Sequence, residues 1–260
     1  VVGLHYFFHP AKNRLVEVIG HELVDEKAMS AAWAAQEAIG KTPIHSADAP
    51  GFVVNRYFVP WLNEAVRLLD EGVADVATID WAAKKAFEIG MGPFELMNVT
   101  GVPIAMHAAN TLGQELHAFY APAPGLVHQV NEVKQDWVLS GTPDESKFDA
   151  IASRLLGVTF YIAAKLVDEG VASVEDTDIG ARVGLRWIKG PFQLLNETGI
   201  GKAQEMVRAS MAPHGLEVPP FLAQADEGGI PIRLVSVGKR GALTSIWIDR
   251  PDAMNALNPA

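Results

Sequence analysis

The stretch Leu68-Leu69-Asp70-Glu71-Gly72-Val73-Ala74 recurs 98 positions later as Leu166-Val167-Asp168-Glu169-Gly170-Val171-Ala172. Residues 65–102 and 163–200 align without a gap and are identical at 17 of 38 positions, including the Gly-Pro-Phe turn that both contain. An ungapped match of this length indicates an internal duplication. Each copy is predicted to form a long helix, a DEGVA turn, a second helix, a GPF turn and a third helix.

The segment that opens the first copy is predicted to be helical over about residues 52–71, after the turn Ala49-Pro50-Gly51. It is apolar on nearly every side, which is typical of a helix in the middle of a bundle. Pro60 lies inside it and should kink it, because the proline ring clashes with the carbonyl four residues earlier.

Ahead of the copies, residues 1–8 and 15–19 are predicted as strands, 21–40 as a helix and 42–46 as a short edge strand. The first strand carries His5 among aromatic residues, and the second carries Glu17 inside an apolar run. Imidazole is the usual general base near neutral pH, and a carboxylate on an adjoining strand could fix its tautomer. His5 and Glu17 are therefore candidates for a catalytic or a structural pair.

The composition narrows the class of protein. The 260 residues are 49% apolar and 20% charged, which is ordinary for a globular chain, and the net charge of −10 argues against nonspecific binding to nucleic acid or an anionic membrane. The absence of cysteine excludes disulfides and Cys-ligated zinc and fits a cytoplasmic location. No run of eighteen or more apolar residues occurs, so no membrane span is predicted.

Both ends of the sequence favour a piece of a longer polypeptide, because the chain starts in a strand-like apolar stretch without Met and stops within what resembles the start of another unit. Residues 216–229 are predicted as a linker, and 230–237 with 243–248 as a hairpin.

Several motifs together resemble the NAD-dependent L-3-hydroxyacyl-CoA dehydrogenases of β-oxidation, over about residues 1–215. They are residues 3–19, Gly40-Lys41-Thr42-Pro43, residues 50–56 (PGFVVNR) and residues 91–96 (MGPFEL), in the family's order. Residues 242–258 resemble the first strands of an enoyl-CoA hydratase (crotonase) domain. Dehydrogenase followed by hydratase is similar to the fused enzymes of archaea and some bacteria.

The resemblance implies roles for three residues. His5 would remove the proton of the substrate 3-hydroxyl while a hydride leaves C3 for NAD, and Glu17 would orient His5. Asn55 would hydrogen-bond the substrate near the reacting oxygen. A placed base contributes about 10²–10⁴ in rate, and a buried amide can polarise the forming carbonyl.

The sequence also departs from the family. Phe8 and His9 stand where the family has Asn-Pro, so the cofactor contact of that asparagine is lost or passes to His9. Asn98 stands where the family commonly has Asp. Asn55 falls on Ser153 in the second copy, and the same shift finds no second base, so the second copy is predicted to be structural.

No Gly-x-Gly-x-x-Gly motif occurs, and Gly199-Ile200-Gly201 lacks the third glycine and a preceding strand. The family's dinucleotide loop would lie upstream of residue 1. The remaining histidines show no metal-ligand spacing, so they are expected to be surface or packing residues.

These inferences combine into one prediction: a mainly α chain with two tandem copies of the helical C-terminal domain of 3-hydroxyacyl-CoA dehydrogenase, a fold like that of the 6-phosphogluconate dehydrogenase C-terminal domain, and short strands at both ends. Five domains are predicted. They are the end of the Rossmann NAD-binding domain (residues 1–48), the first helical copy (49–140), the second helical copy (141–215), a linker (216–229) and the start of a hydratase domain (230–260).

The two copies are expected to pack against each other as an internal pseudo-dimer. Association of whole chains into a homo-oligomer remains an alternative. Acyl-CoA is the expected substrate, with no nucleic acid or membrane partner, and the isolated chain is expected to be inactive. The alternatives are a non-catalytic helical scaffold or oligomerisation module, and the enoyl-CoA hydratase activity of the fused parent.

Overall fold

A computed structural model describes residues 1–241, 243–248 and 255–256. Five strands and eleven α-helices follow one another in these ranges. The strands are β1 (Gly3–Tyr6), β2 (Leu15–Gly20), β3 (Thr42–Ala47), β4 (Val235–Arg240) and β5 (Leu243–Ile248). The helices are α1 (Glu26–Ala38), α2 (Val54–Asp70), α3 (Val76–Phe87), α4 (Pro93–Thr100), α5 (Val102–Glu115), α6 (Pro124–His128), α7 (Phe148–Asp168), α8 (Val174–Ile179), α9 (Pro191–Thr198), α10 (Ile200–Met211) and α11 (Pro220–Ala223). The prediction of a mainly helical chain with a few strands is confirmed.

The first three strands form one sheet in the order β1-β2-β3, with β1 antiparallel and β3 parallel to β2. The central strand β2 is buried almost along its whole length, as its apolar sequence predicts. Helix α1 packs against β2 and β3. It begins after Asp25, whose carboxylate accepts the N–H of Lys27 at 2.9 Å, and not at His21 as predicted.

Helices α2 and α7 are the centre of the molecule and pack against each other. Twelve residues of α2 are buried and the helix continues through Pro60, in agreement with its predicted place inside a bundle. The helical stretch Glu145–Asp168, which contains α7, is long and apolar enough to cross a membrane. However, 67% of its most apolar 18-residue segment is buried inside the fold. This stretch is therefore a core helix of the folded chain.

The third predicted helix of each segment is two helices. The chain turns at Gly101 between α4 and α5, and at Gly199 between α9 and α10, with φ of +103° and +87°. Because side chains rarely adopt such φ values, glycine is suited to both junctions. The second segment also differs from the first, since α8 stops at Ile179 and a π-helical turn follows over Gly180–Gly184.

Corresponding carboxylates hold the GPF turns of the two segments. Asp80 accepts the first free N–H groups of α4 at 2.8 and 3.0 Å, and Asp178 accepts those of α9 at 2.7 and 3.0 Å. A Cβ added at Gly92 or Gly190 would lie within 2.4 Å of the respective carboxyl group. The glycine of each GPF turn is therefore needed for close approach of the aspartate.

The predicted linker over residues 216–229 contains α11, whose Leu222 is fully buried against the helical core. The N–H of Phe221 donates to Asp168 at 2.9 Å. The predicted hairpin is present, although β4 begins at Val235 and not at residue 230. Much of the region that resembles a hydratase, namely residues 242, 249–254 and 257–260, lies outside the described residues.

Asp178 should make the stability of the chain depend on pH. Burial raises the pKa of its carboxyl to about 7, against two backbone N–H groups that favour the charged form. The folded chain then binds more protons than the unfolded chain between about pH 4 and 7, so the free energy of unfolding falls as pH rises through this window.

We predict that Asp178→Asn removes most of this decrease in the free energy of unfolding, which amounts to as much as about 4 kcal/mol. Urea denaturation at a series of pH values measures the slope, and Asp149→Asn at an exposed position is the control. A slope that is the same in Asp178→Asn and in the unaltered chain would contradict the prediction.

Candidate active site

The structure brings His5 and Glu17 together. They face each other directly across the β1–β2 ladder, and His5 Nδ1 lies 2.5 Å from Glu17 Oε2. Facing residues on adjacent antiparallel strands are close enough for their side chains to interact. The side chain of His5 is 30% exposed, whereas that of Glu17 is fully buried. The pair therefore combines a buried carboxylate with an imidazole that solvent can reach.

The second oxygen of Glu17 holds the start of α2. Oε1 accepts the backbone N–H groups of Val53 and Val54 at 3.1 and 2.8 Å. Helix N-termini stabilise negative charge, and a buried carboxylate requires such partners. Because no side chain at Val53 caps this helix, Glu17 supplies the cap from a distant strand. The uncapped sequence before α2 was the only signal for this contact, and sequence reasoning missed it.

Two phenylalanines enclose the imidazole of His5. The ring centroids of Phe7 and Phe52 lie 4.8 and 5.4 Å from that of His5. Within the described part of the chain, Nε2 of His5 has no hydrogen-bond partner. When Nδ1 donates to Glu17, Nε2 carries the free lone pair of the neutral ring and can accept a proton.

Asn55 is the second residue of α2 and lies next to the two residues whose N–H groups bind Glu17. It is half-buried, and its side-chain amide has no partner among the described residues. The same helix end thus presents a free amide and binds the carboxylate that contacts His5. An amide in this position can donate to a carbonyl or alkoxide oxygen of a ligand.

His9 lies in an exposed turn. It is the residue to which the cofactor contact of the family's asparagine was expected to pass, if that contact is kept. Its Nδ1 accepts the N–H of Ala11 at 3.3 Å, and its ring touches that of Phe8 at 5.7 Å between centroids. Asn98 holds the backbone N–H and C=O of Trp137 at 2.8 and 2.9 Å. Asn98 is therefore a structural residue, and His9 makes no described contact with the His5–Glu17 pair.

An open cavity of about 400 Å³ is lined by Asp48, Ala49, Pro50, Gly51, Phe52 and Glu115, and its Phe52 is the residue whose ring lies 5.4 Å from that of His5. A second cavity, of about 240 Å³, lies between α8 and α9 and includes the helix-capping Asp178. The first is the better candidate for a ligand because Phe52, which packs on the imidazole of His5, lines it. The residues that the structure describes include no group of three His, Asp or Glu side chains placed to hold a metal ion.

Comparison with known proteins identifies the class. Residues 51–135 and 151–225 match the 3-hydroxyacyl-CoA dehydrogenase C-terminal domain, and residues 1–49 match the 3-hydroxyacyl-CoA dehydrogenase NAD binding domain. The chain belongs to the 3-hydroxyacyl-CoA dehydrogenase family, whose cofactor is NAD.

A curated relative is the fatty acid oxidation complex subunit alpha of Shewanella amazonensis, 31% identical over 88% of this chain; the chain spans 37% of that protein's length. The solved 3-hydroxybutyryl-CoA dehydrogenase of Escherichia coli K12 has the same fold, with a TM-score of 0.74 at 19% identity, over 86% of this chain and 70% of its own. The (S)-3-hydroxybutyryl-CoA dehydrogenase of Ralstonia eutropha matches at 29% identity and a TM-score of 0.50, over 54% of this chain and 52% of its own.

Neither α1 nor α2 offers a free helix N-terminus to the pyrophosphate of NAD. That group needs a glycine-rich turn and the free N–H groups of a helix N-terminus. The N-terminus of α1 is capped by Asp25 with Glu26 behind it, and that of α2 is occupied by Glu17. Both termini already carry carboxylates and would repel a phosphate.

The two functions of Glu17 can be separated by substitution. We predict that Glu17→Ala lowers the free energy of unfolding by about 2–4 kcal/mol, because it leaves two buried N–H groups without an acceptor. Glu17→Gln keeps an oxygen for those groups and should lose only about 1 kcal/mol. Urea denaturation measures both losses, and equal small losses for the two variants would show that Glu17 does not hold α2.

Proposed function

We propose that this chain is the substrate-binding and proton-transferring half of an NAD-dependent 3-hydroxyacyl-CoA dehydrogenase, which converts a 3-hydroxyacyl-CoA to the 3-oxoacyl-CoA. The observation that carries the proposal is the three-part arrangement at Glu17. One oxygen binds Nδ1 of His5, the other binds the start of α2, and Nε2 of His5 has no described partner. Family membership gives the reaction class.

In this proposal His5 is the general base. Its Nδ1–H donates to Glu17, so Nε2 accepts the proton of the substrate hydroxyl as the C3–H bond gives up a hydride. Glu17 stays ionised and stabilises the imidazolium that forms. The amide of Asn55 donates to the oxygen that becomes the carbonyl. NAD, when bound, is the hydride acceptor of the family.

We also propose that the two helical segments are tandem copies of one domain, packed as an internal pseudo-dimer. Support comes from equivalent contacts. Asp70 accepts the N–H of Gly125 at 2.8 Å, and its counterpart Asp168 accepts the N–H of Phe221 at 2.9 Å. The caps from Asp80 and Asp178 form a second such set.

A third set crosses between the copies. Arg154 of the second copy binds Glu71 of the first, and Arg56 of the first binds Glu169 of the second. The shift of 98 positions that relates the copies carries Arg56 onto Arg154 and Glu71 onto Glu169. Reciprocal contacts of this kind are the property of an interface with two-fold symmetry.

Binding of acetoacetyl-CoA separates the dehydrogenase proposal from a helical scaffold. We expect calorimetric titration to detect binding by the chain, and Asn55→Ala to weaken it about tenfold, the effect of one lost hydrogen bond. Ser153→Ala changes the corresponding residue of the second segment and should leave the affinity unchanged.

No heat of binding would favour the scaffold, and equal effects of the two substitutions would remove Asn55 from the site. An assay with NAD and 3-hydroxybutyryl-CoA completes the test. Because the chain lacks the glycine-rich loop, we expect NADH formation only when an NAD-binding domain that contains this loop is supplied. NADH formation by the chain alone would contradict this part of the proposal. The hydratase activity and cytoplasmic location of a longer parent stay predictions.

A further inference from the structure

The contact between Arg56 and Glu169 joins the second helical segment to the first turn of α2. Arg56 is 2% exposed, while Glu169 lies at the end of α7 and is 34% exposed. The equivalent contact joins Arg154 to Glu71 at 2.9 Å. The two ion pairs therefore have the same residue types and the same sequence relation but different surroundings.

The surroundings decide what each pair does. Arg154 also binds Glu64, with its Nε at 2.7 Å from the carboxylate, so it keeps a partner when Glu71 is lost. Arg56 has no second carboxylate partner among the described residues, and its Nε has no hydrogen-bond partner there. A buried charge left without an opposite charge is strongly unfavourable. The position of Arg56 therefore depends on Glu169 more than that of Arg154 depends on Glu71.

Arg56 lies two residues after Val54, whose N–H group binds Glu17. A shift of this turn would move the donors that hold Glu17, and Glu17 in turn sets the orientation of His5. Glu169 is thus linked to the imidazole through three intermediates: Arg56, the backbone of α2 and Glu17. No other described carboxylate forms an ion pair with Arg56.

The second segment also holds the sheet that carries the pair. The side chain of Asn13 donates to the carbonyl of Gly184 at 2.8 Å, and the N–H of Ala47 donates to the carbonyl of Val171 at 2.9 Å. The strands and the helix that meet at Glu17 are therefore both attached to the second segment.

We propose that Glu169 is a positioning residue for the His5–Glu17 pair, acting through Arg56 and the first turn of α2. The second segment then contributes to the proposed proton transfer without contributing a catalytic residue. The interpretation of His5 as a base rests on the proposed function. The positioning itself is a statement about geometry and is tested without turnover.

The experiment is ¹⁵N NMR of the histidine side chains in the chain as it exists, in Glu169→Gln and in the control Glu71→Gln. Glu169→Gln removes the charge but keeps the side-chain size. We expect the Nδ1 and Nε2 resonances of His5 to move toward each other in Glu169→Gln, as the single tautomer gives way to a mixture. Glu71→Gln should leave them at the wild-type positions, although it breaks the equivalent ion pair.

Unchanged His5 resonances in Glu169→Gln, or equal movement in both variants, would overturn the proposal. If Glu169→Gln does not fold, Glu169→Asp carries the test, because it keeps the charge on a shorter side chain and should move the resonances in the same direction. The outcome is independent of acyl-CoA binding: a chain that shows no heat of binding with acetoacetyl-CoA would lose the proposed function, and this readout would be unaffected.

Discussion

The buried carboxylate of Glu17 is the constraint on which the site depends. Its two oxygens bind different parts of the fold, an imidazole on one side and the N-terminus of a core helix on the other. A carboxylate without these partners could not be buried at an acceptable cost. The sheet and the helical core are therefore joined at the same carboxylate that contacts the histidine.

Helix α2 belongs to the first of two helical segments of similar construction, and the second segment also contacts it. Each segment uses an aspartate to cap the helix after the GPF turn, and each gives an arginine to a glutamate of the other. One ion pair joins the start of α2 to the end of α7, and the other joins the start of α7 to the end of α2. These reciprocal contacts are the basis of the proposal that the two segments pack as an internal pseudo-dimer.

Much of this fold could be predicted from the sequence. The 98-residue repeat, the apolar long helices and the strands around His5 and Glu17 are local patterns. The division of the third helix at Gly101 was missed, because a glycine directly after the last turn of a helix is easily read as its interior. Asp25 was missed as the start of α1, although it has the side chain of a typical cap.

The long-range contacts could not be predicted in the same way. The sequence before α2 lacks a capping side chain, but nothing in it identifies Glu17, 36 and 37 positions earlier, as the acceptor of the Val53 and Val54 N–H groups. In the sequence, Glu169 is a charged residue at the end of a predicted helix, a position that is usually solvated. Only the three-dimensional packing shows that it faces a buried arginine.

The central claim is that Glu17 holds His5 with its proton on Nδ1 and leaves Nε2 free to accept another. ¹⁵N NMR of the unaltered chain at neutral pH tests this directly, because the two ring nitrogens of a neutral imidazole have distinct shifts according to which carries the proton. The account predicts a single tautomer with the proton on Nδ1 of His5. A proton on Nε2 would contradict it.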